Sequence, residues 1–140
     1  MAHNCKNILF HCMDFRLTER IREWMGKEKL LGDCDVVAVA GSAKDLVDGS
    51  PGEKEMLLKQ IGISAKLHQA KNVILMNHTQ CGAYAQSYRF VNEDEEIKRH
   101  ELDLAKAEKI INNRFADLTV FKLIVIMKDP GGKVVEFMKL

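Results

Sequence analysis

The order of apolar segments predicts an α/β fold: a mostly parallel central sheet in a 2-1-3 type order, helices on both faces, and a C-terminal antiparallel hairpin. Three observations carry that expectation. Strand-length apolar runs alternate with helix-length stretches, the pattern of parallel strands joined by helical crossovers. Ser50-Pro51-Gly52-Glu53 is a complete helix-start signal, with Ser50 as N-cap, Pro51 in the first helical position and Glu53 closing a capping box. Finally, Asp129-Pro130-Gly131-Gly132 is a strong turn between two apolar runs, as a hairpin requires.

The elements follow in order. Residues 6–12 read as a buried strand, and 17–25 as a short helix capped by Thr18. Gly32-Asp33 makes a turn into a second strand over 35–40, which Gly41 ends. The helix opened at Ser50 runs to about Ala70, and 73–77 form the third strand. A helical turn follows Cys81-Gly82. Over 93–115 apolar residues return at Ile97, Leu104, Ile111 and Phe115 among many charges, which is an amphipathic helix with one solvated face. Residues 120–127 form a further strand, and 134–137 pair back onto it. No repeat, low-complexity tract or linker interrupts the series.

The 140 residues suit one domain, 1–140, with a real core. A net charge of +1, with 46% apolar and 29% charged residues, gives no electrostatic case for nucleic acid or an anionic membrane. Met1-Ala2-His3-Asn4-Cys5-Lys6 lacks the layout of a secretory signal, and runs such as Leu123-Ile124-Val125-Ile126-Met127 are too short to span a bilayer. A cytoplasmic location is therefore expected. Four cysteines in such a chain point to metal or reactive thiols rather than to a disulfide framework. Cys5 and Cys34 read as small buried or half-buried side chains.

Cys12, His78 and Cys81 carry the chemistry. Each stands just past an apolar run, and His78-Thr79-Gln80-Cys81 holds two of them three apart. In a doubly wound sheet, sites form beyond the carboxyl ends of strands where the order reverses. A 2-1-3 order would bring all three together there. Two thiolates and one imidazole suit zinc better than magnesium or calcium, and three ligands leave a tetrahedral position open for water. Two thiolates also dampen the metal's acidity, so a group that orients the water is useful. Asp14 is placed to be that group, and Arg16 to hold it ionised by a charge-assisted bond. The alternative, Asp14 as a fourth ligand closing the site, stays open at this point. His11 is expected to face away from Cys12, because strand neighbours alternate. Tyr84 and Tyr88 either line the site or pack, and the Gly41-Ser42 backbone either approaches it or simply turns. His3, His68 and His100 have no partners in sequence, and surface or helix positions suffice for them.

Cys12-Met13-Asp14-Phe15-Arg16 followed by His78-Thr79-Gln80-Cys81-Gly82 resembles the paired zinc motif of the β-class carbonic anhydrases. The resemblance extends over most of the chain, including the second-strand region, the helix before Lys71-Asn72-Val73 and the terminal hairpin. It implies one Zn²⁺ per chain held by Cys12, His78 and Cys81, with Asp14 and Arg16 as a catalytic dyad. It further implies reversible hydration of carbon dioxide to bicarbonate through zinc-bound hydroxide, a pocket near Phe15, Gly41 and Gly82, and a homodimer or larger homo-oligomer. The sequence departs from the family pattern at Ala38 and Val39, where Arg-Asn is usual, at Phe15, at Gln80 in place of Asp, and at Asn77. Two alternatives follow. Phe15 could narrow an apolar access route suited to carbon disulfide or carbonyl sulfide, or the changes at 38 and 39 could leave a non-catalytic zinc or bicarbonate binder.

Overall fold

The structure, a computed structural model, describes residues 3–140; Met1 and Ala2, part of the N-terminal stretch read for a targeting signal, lie outside it. Five strands, β1 (Asn7–His11), β2 (Cys34–Ala38), β3 (Asn72–His78), β4 (Thr119–Met127) and β5 (Val135–Lys139), form one sheet in the order β2-β1-β3-β4-β5. The first three pairings are parallel and β4–β5 is antiparallel. The expected reversal is present: β1 lies between β2 and β3, with Leu9 opposite both Val36 and Ile74.

Alternation along the strands divides the core in two. Ile8, Phe10, Val73, Leu75, Ile124 and Ile126 face three helices: α2 (Lys44–Asp48), α3 (Pro51–Leu67) and α5 (Glu93–Arg114). Leu46, Leu57, Ile61, Leu104, Ala107 and Ile111 fill that layer and are essentially solvent-free. Each such leucine or isoleucine contributes about 1.5–3 kcal/mol by leaving water. On the other face Leu9, Ile74, Met76, Leu123 and Val125 meet Ile21, Trp24 and Met25 of α1 (Thr18–Lys27). Trp24 also stacks on Phe137 of the hairpin at 5.4 Å.

The helix signals act as expected at α3. Ser50 Oγ accepts from the Glu53 amide at 3.2 Å, and Glu53 Oε1 accepts from the Ser50 amide at 2.9 Å. At α5, Asn92 caps by accepting from the Glu95 amide at 2.9 Å, and four acidic residues occupy the first turn, where the helix dipole favours negative charge.

Several boundaries differ from the sequence reading. Thr18 does not cap α1; it is the first helical residue, and no side-chain bond closes that end. A short 3₁₀ turn, Phe15–Leu17, precedes it and is capped by Asp14. The second strand stops at Ala38, two residues early, because the chain turns through Gly41 at φ +75°. The five-residue α2 was not anticipated, being too short to show a period. His78 is the last residue of β3 rather than a residue beyond it. α4 (Gly82–Ser87) follows Cys81 directly.

Candidate metal centre

β1 and β3 run side by side and finish at one edge, Phe10 opposite Leu75. Two residues past Phe10 the chain delivers Cys12; three past Leu75 it delivers His78, and a tight turn brings back Cys81. That turn needs Gln80 in the left-handed region at φ +56°. It is fixed by the Thr79 amide on the Val125 carbonyl (3.0 Å) and by Thr79 Oγ1 accepting from the Met127 amide (2.9 Å). The donor atoms of Cys12, His78 and Cys81 all lie within 4.8 Å of one another, and all three residues are buried.

His78 Nδ1 lies 2.6 Å from the Thr79 carbonyl oxygen. A carbonyl only accepts, so Nδ1 carries the proton and Nε2 presents its lone pair. Nε2 is buried and has no hydrogen-bond partner among the described residues. Leaving a buried acceptor unmet costs about 1–3 kcal/mol. A lone pair held this way beside two thiols fits a soft divalent cation such as zinc, with the Thr79 carbonyl fixing the ring behind it.

The two thiols are electrostatically unequal. The hydrogen bond from Cys81 holds the Cys12 thiol well below its ordinary pKa against the opposing effect of burial, and the Gly41 amide helps. The Cys12 sulfur and burial push Cys81 upward, although the Tyr84 and Ala83 amides at the start of α4 oppose this. Thus the pair carries one negative charge readily, and a second thiolate calls for a cation.

Asp14 stands next to this cluster, its Oδ2 3.7 Å from His78 Nε2. Arg16 grips it twice over: Nε donates to Oδ1 at 3.0 Å and Nη2 to Oδ2 at 2.6 Å, with the Arg16 amide also on Oδ1 at 3.0 Å. The hydrogen bonds from Arg16 hold the Asp14 carboxyl below the usual carboxylate range despite partial burial. Arg16 also donates to the Gln80 carbonyl (2.9 Å) and the Pro130 carbonyl (3.0 Å). The guanidinium therefore ties together the segment after β1, the segment after β3 and the hairpin turn.

The remaining sequence candidates fall in different places. Gly41 approaches through its backbone: a Cβ there would stand 3.2 Å from Ala83 Cβ and 2.9 Å from Lys44 Cβ. Gly82 opens α4 with free space around it. Phe15 is 85% exposed and lines an open groove of about 480 Å³ with Arg16, Arg20, Gly132 and Lys133, away from the thiols. His11 bonds the Cys12 carbonyl with Nδ1 at 2.8 Å. Tyr84 packs directly on Cys12 and Cys81.

Beneath the cluster lies a polar network that the sequence reading missed. Asn77 Nδ2 donates to Tyr84 Oη (3.0 Å) and to His100 Nδ1 (3.0 Å), and Asn77 Oδ1 accepts from the Ala43 amide (3.3 Å). Tyr84 Oη donates to Asp103 at 2.9 Å. His100, for which a surface or helix position would have sufficed, lies in α5 and is wholly buried. Its place was legible, since it falls three after Ile97 and four before Leu104 on the apolar stripe of α5.

Comparison with known proteins agrees with this geometry. A family model described as "Putative carbonic anhydrase" matches residues 2–131. The chain belongs to this putative carbonic anhydrase family. An uncharacterised protein of Rickettsia bellii is 29% identical over 127 residues, covering 88% of this chain and 77% of the relative. A structure of tetrameric β-carbonic anhydrases from Sordaria macrospora superposes with a TM-score of 0.58 at 17% identity, covering 97% of this chain and 81% of the other. A carbon disulfide hydrolase in its apo form superposes at 0.51 and 16% identity, covering 90% and 76%. At these identities the two structural likenesses speak to the carbonic anhydrase fold alone. No helix among the described residues is long and apolar enough to cross a membrane.

Proposed function

We propose that this chain catalyses the zinc-dependent reversible hydration of carbon dioxide to bicarbonate, with Cys12, His78 and Cys81 as the ligands and Asp14 and Arg16 as the dyad. The observation that carries this reading is the orphaned, buried His78 Nε2 among two thiols. Zinc, when bound, supplies Lewis acidity that makes water nucleophilic near neutral pH.

The chain's own residues then divide the work. Asp14 accepts a hydrogen bond from the attacking water and so aims its free lone pair. A carboxyl held below its usual range is a poor base, so Asp14 orients the water rather than removing its proton. Both carboxylate oxygens are occupied by Arg16, and Asp14 is not one of the three residues whose donor atoms lie within 4.8 Å of one another. That supports the open site over the closed one.

In the single chain Phe15 projects into solvent, so the apolar narrowing that argued for a carbon dioxide analogue has no counterpart here. We take residues 1–140 to act as one domain, with one catalytic zinc per chain and a homodimer or larger homo-oligomer as the working form. A stopped-flow hydration assay tests the reading. Zinc-loaded wild type is expected to exceed the buffer rate, and Asp14→Asn to lose 10²-fold or more in turnover at unchanged zinc content. No rate above buffer from neutral to alkaline pH would overturn it, and turnover of carbon disulfide in excess of carbon dioxide would reassign the substrate.

A further inference from the structure

A second group of potential ligands occupies the opposite end of the sheet. Cys5 precedes β1, Asp35 is the second residue of β2, and His68 caps the C-terminus of α3. Their ligand atoms lie within 4.8 Å of one another. The grouping is held by the backbone: the Cys5 amide donates to the His68 carbonyl at 2.9 Å, and the next amide, of Lys6, donates to Asp33 Oδ1 at 2.8 Å. Asp35 Oδ2 accepts from Ser64 Oγ and from His68 Nδ1, both at 2.7 Å. No lysine or arginine among the described residues lies within 4 Å of Asp35, and its one basic neighbour is His68, which carries charge only when protonated. The ring of His3 stands 4.9 Å from that of His68. The cleft they line opens to solvent, leaving an ion free to enter.

From this juxtaposition we infer that Cys5, Asp35 and His68 form a second site for a borderline divalent transition metal such as zinc, with the His3 imidazole nearest to hand as a further donor. One sulfur, one ring nitrogen and one carboxylate suit zinc or cobalt and disfavour magnesium and calcium, which take oxygen alone. A cation there supplies the positive charge that Asp35 otherwise lacks. It also clips the N-terminal segment to β2 and α3, so it acts on stability rather than on carbon dioxide. Cys5 and Cys12 lie at opposite ends of β1, roughly 20 Å apart at the rise of an extended strand. The two centres therefore fill independently, and this inference does not rest on the reading of the Cys12 centre.

The test uses the full chain with thiols reduced and Co²⁺ as the probe, counting bound metal after desalting and following the thiolate-to-cobalt absorption. Wild type is expected to hold two equivalents, and Cys5→Ser and His68→Gln one each. A Cys12→Ser/Cys81→Ser double variant is expected to hold one, with a melting temperature that rises on adding Co²⁺. Should His68→Gln keep two equivalents, or the double variant hold none and show no thermal shift, the second site is overturned. Wild type holding one equivalent that only the double variant loses also overturns it, leaving the proposed function intact. One equivalent lost only in Cys5→Ser and His68→Gln upholds the second site and sinks the Cys12 reading instead.

Discussion

The Arg16 side chain makes five hydrogen bonds that reach three places in the chain: three on Asp14, one on the Gln80 carbonyl and one on the Pro130 carbonyl. Its effect on Asp14 has a definite sign. A carboxyl whose folded pKa is depressed stabilises the native state above its unfolded value, and that contribution is lost as pH falls through the folded value. Replacing Arg16 with Gln removes the largest lowering influence and leaves burial opposing the charge. The acid limb of both stability and hydration rate should therefore move to higher pH, which denaturant titrations and rate profiles across the acidic range would detect. An unmoved limb would mean that Arg16 does not set the Asp14 charge. Turnover at neutral pH should also fall roughly tenfold as the carboxylate loses its fixed direction. The identities of the acid and the base were legible in Cys12-Met13-Asp14-Phe15-Arg16. The grip of Arg16 on Pro130, 114 residues away, was not, because nothing local encodes it.

The hairpin turn is the element that seats Arg16. Gly132 has φ +70°, and a Cβ there would lie 2.7 Å from the Arg16 carbonyl oxygen. Gly131, with no left-handed backbone, would meet only the Asp129 carboxylate, at 3.2 Å. Gly132→Ala is thus expected to destabilise by about 1–3 kcal/mol, and Gly131→Ala by clearly less, as measured by urea denaturation. Equal effects would show that close packing on Arg16 is unimportant. The turn itself was readable from Asp129-Pro130-Gly131-Gly132, as was the capping box of α3, since both are local chemistry. The five residues of α2 and the cap of α5 at Asn92 were passed over, the first too short for a period and the second hidden in a charged stretch. The burial of His100 and Asp103 was harder to see, because the many charges of α5 mask the stripe on which both sit.

For the molecule as a whole, alternation of apolar runs was enough to predict a mostly parallel sheet, and the 2-1-3 order assumed for it, which the structure has, carries the two halves of the motif to one edge. What spacing could not reveal was the meeting of Cys5, Asp35 and His68, which are far apart in sequence and share no motif. The exposed edge strand β2, with Val36 half in solvent, together with exposed Phe15 and Phe121, leaves apolar surface for a second copy to cover. Sedimentation of the purified protein at micromolar concentration is expected to give a dimer or larger; a monomer throughout would remove the oligomer from the account. His78 as the nitrogen ligand of a catalytic zinc is tested by comparing wild type with His78→Ala in one zinc-loaded, thiol-reduced preparation. The prediction is that the variant holds one zinc fewer per chain and hydrates carbon dioxide no faster than buffer. Equal zinc content and equal rates in the two proteins would contradict it.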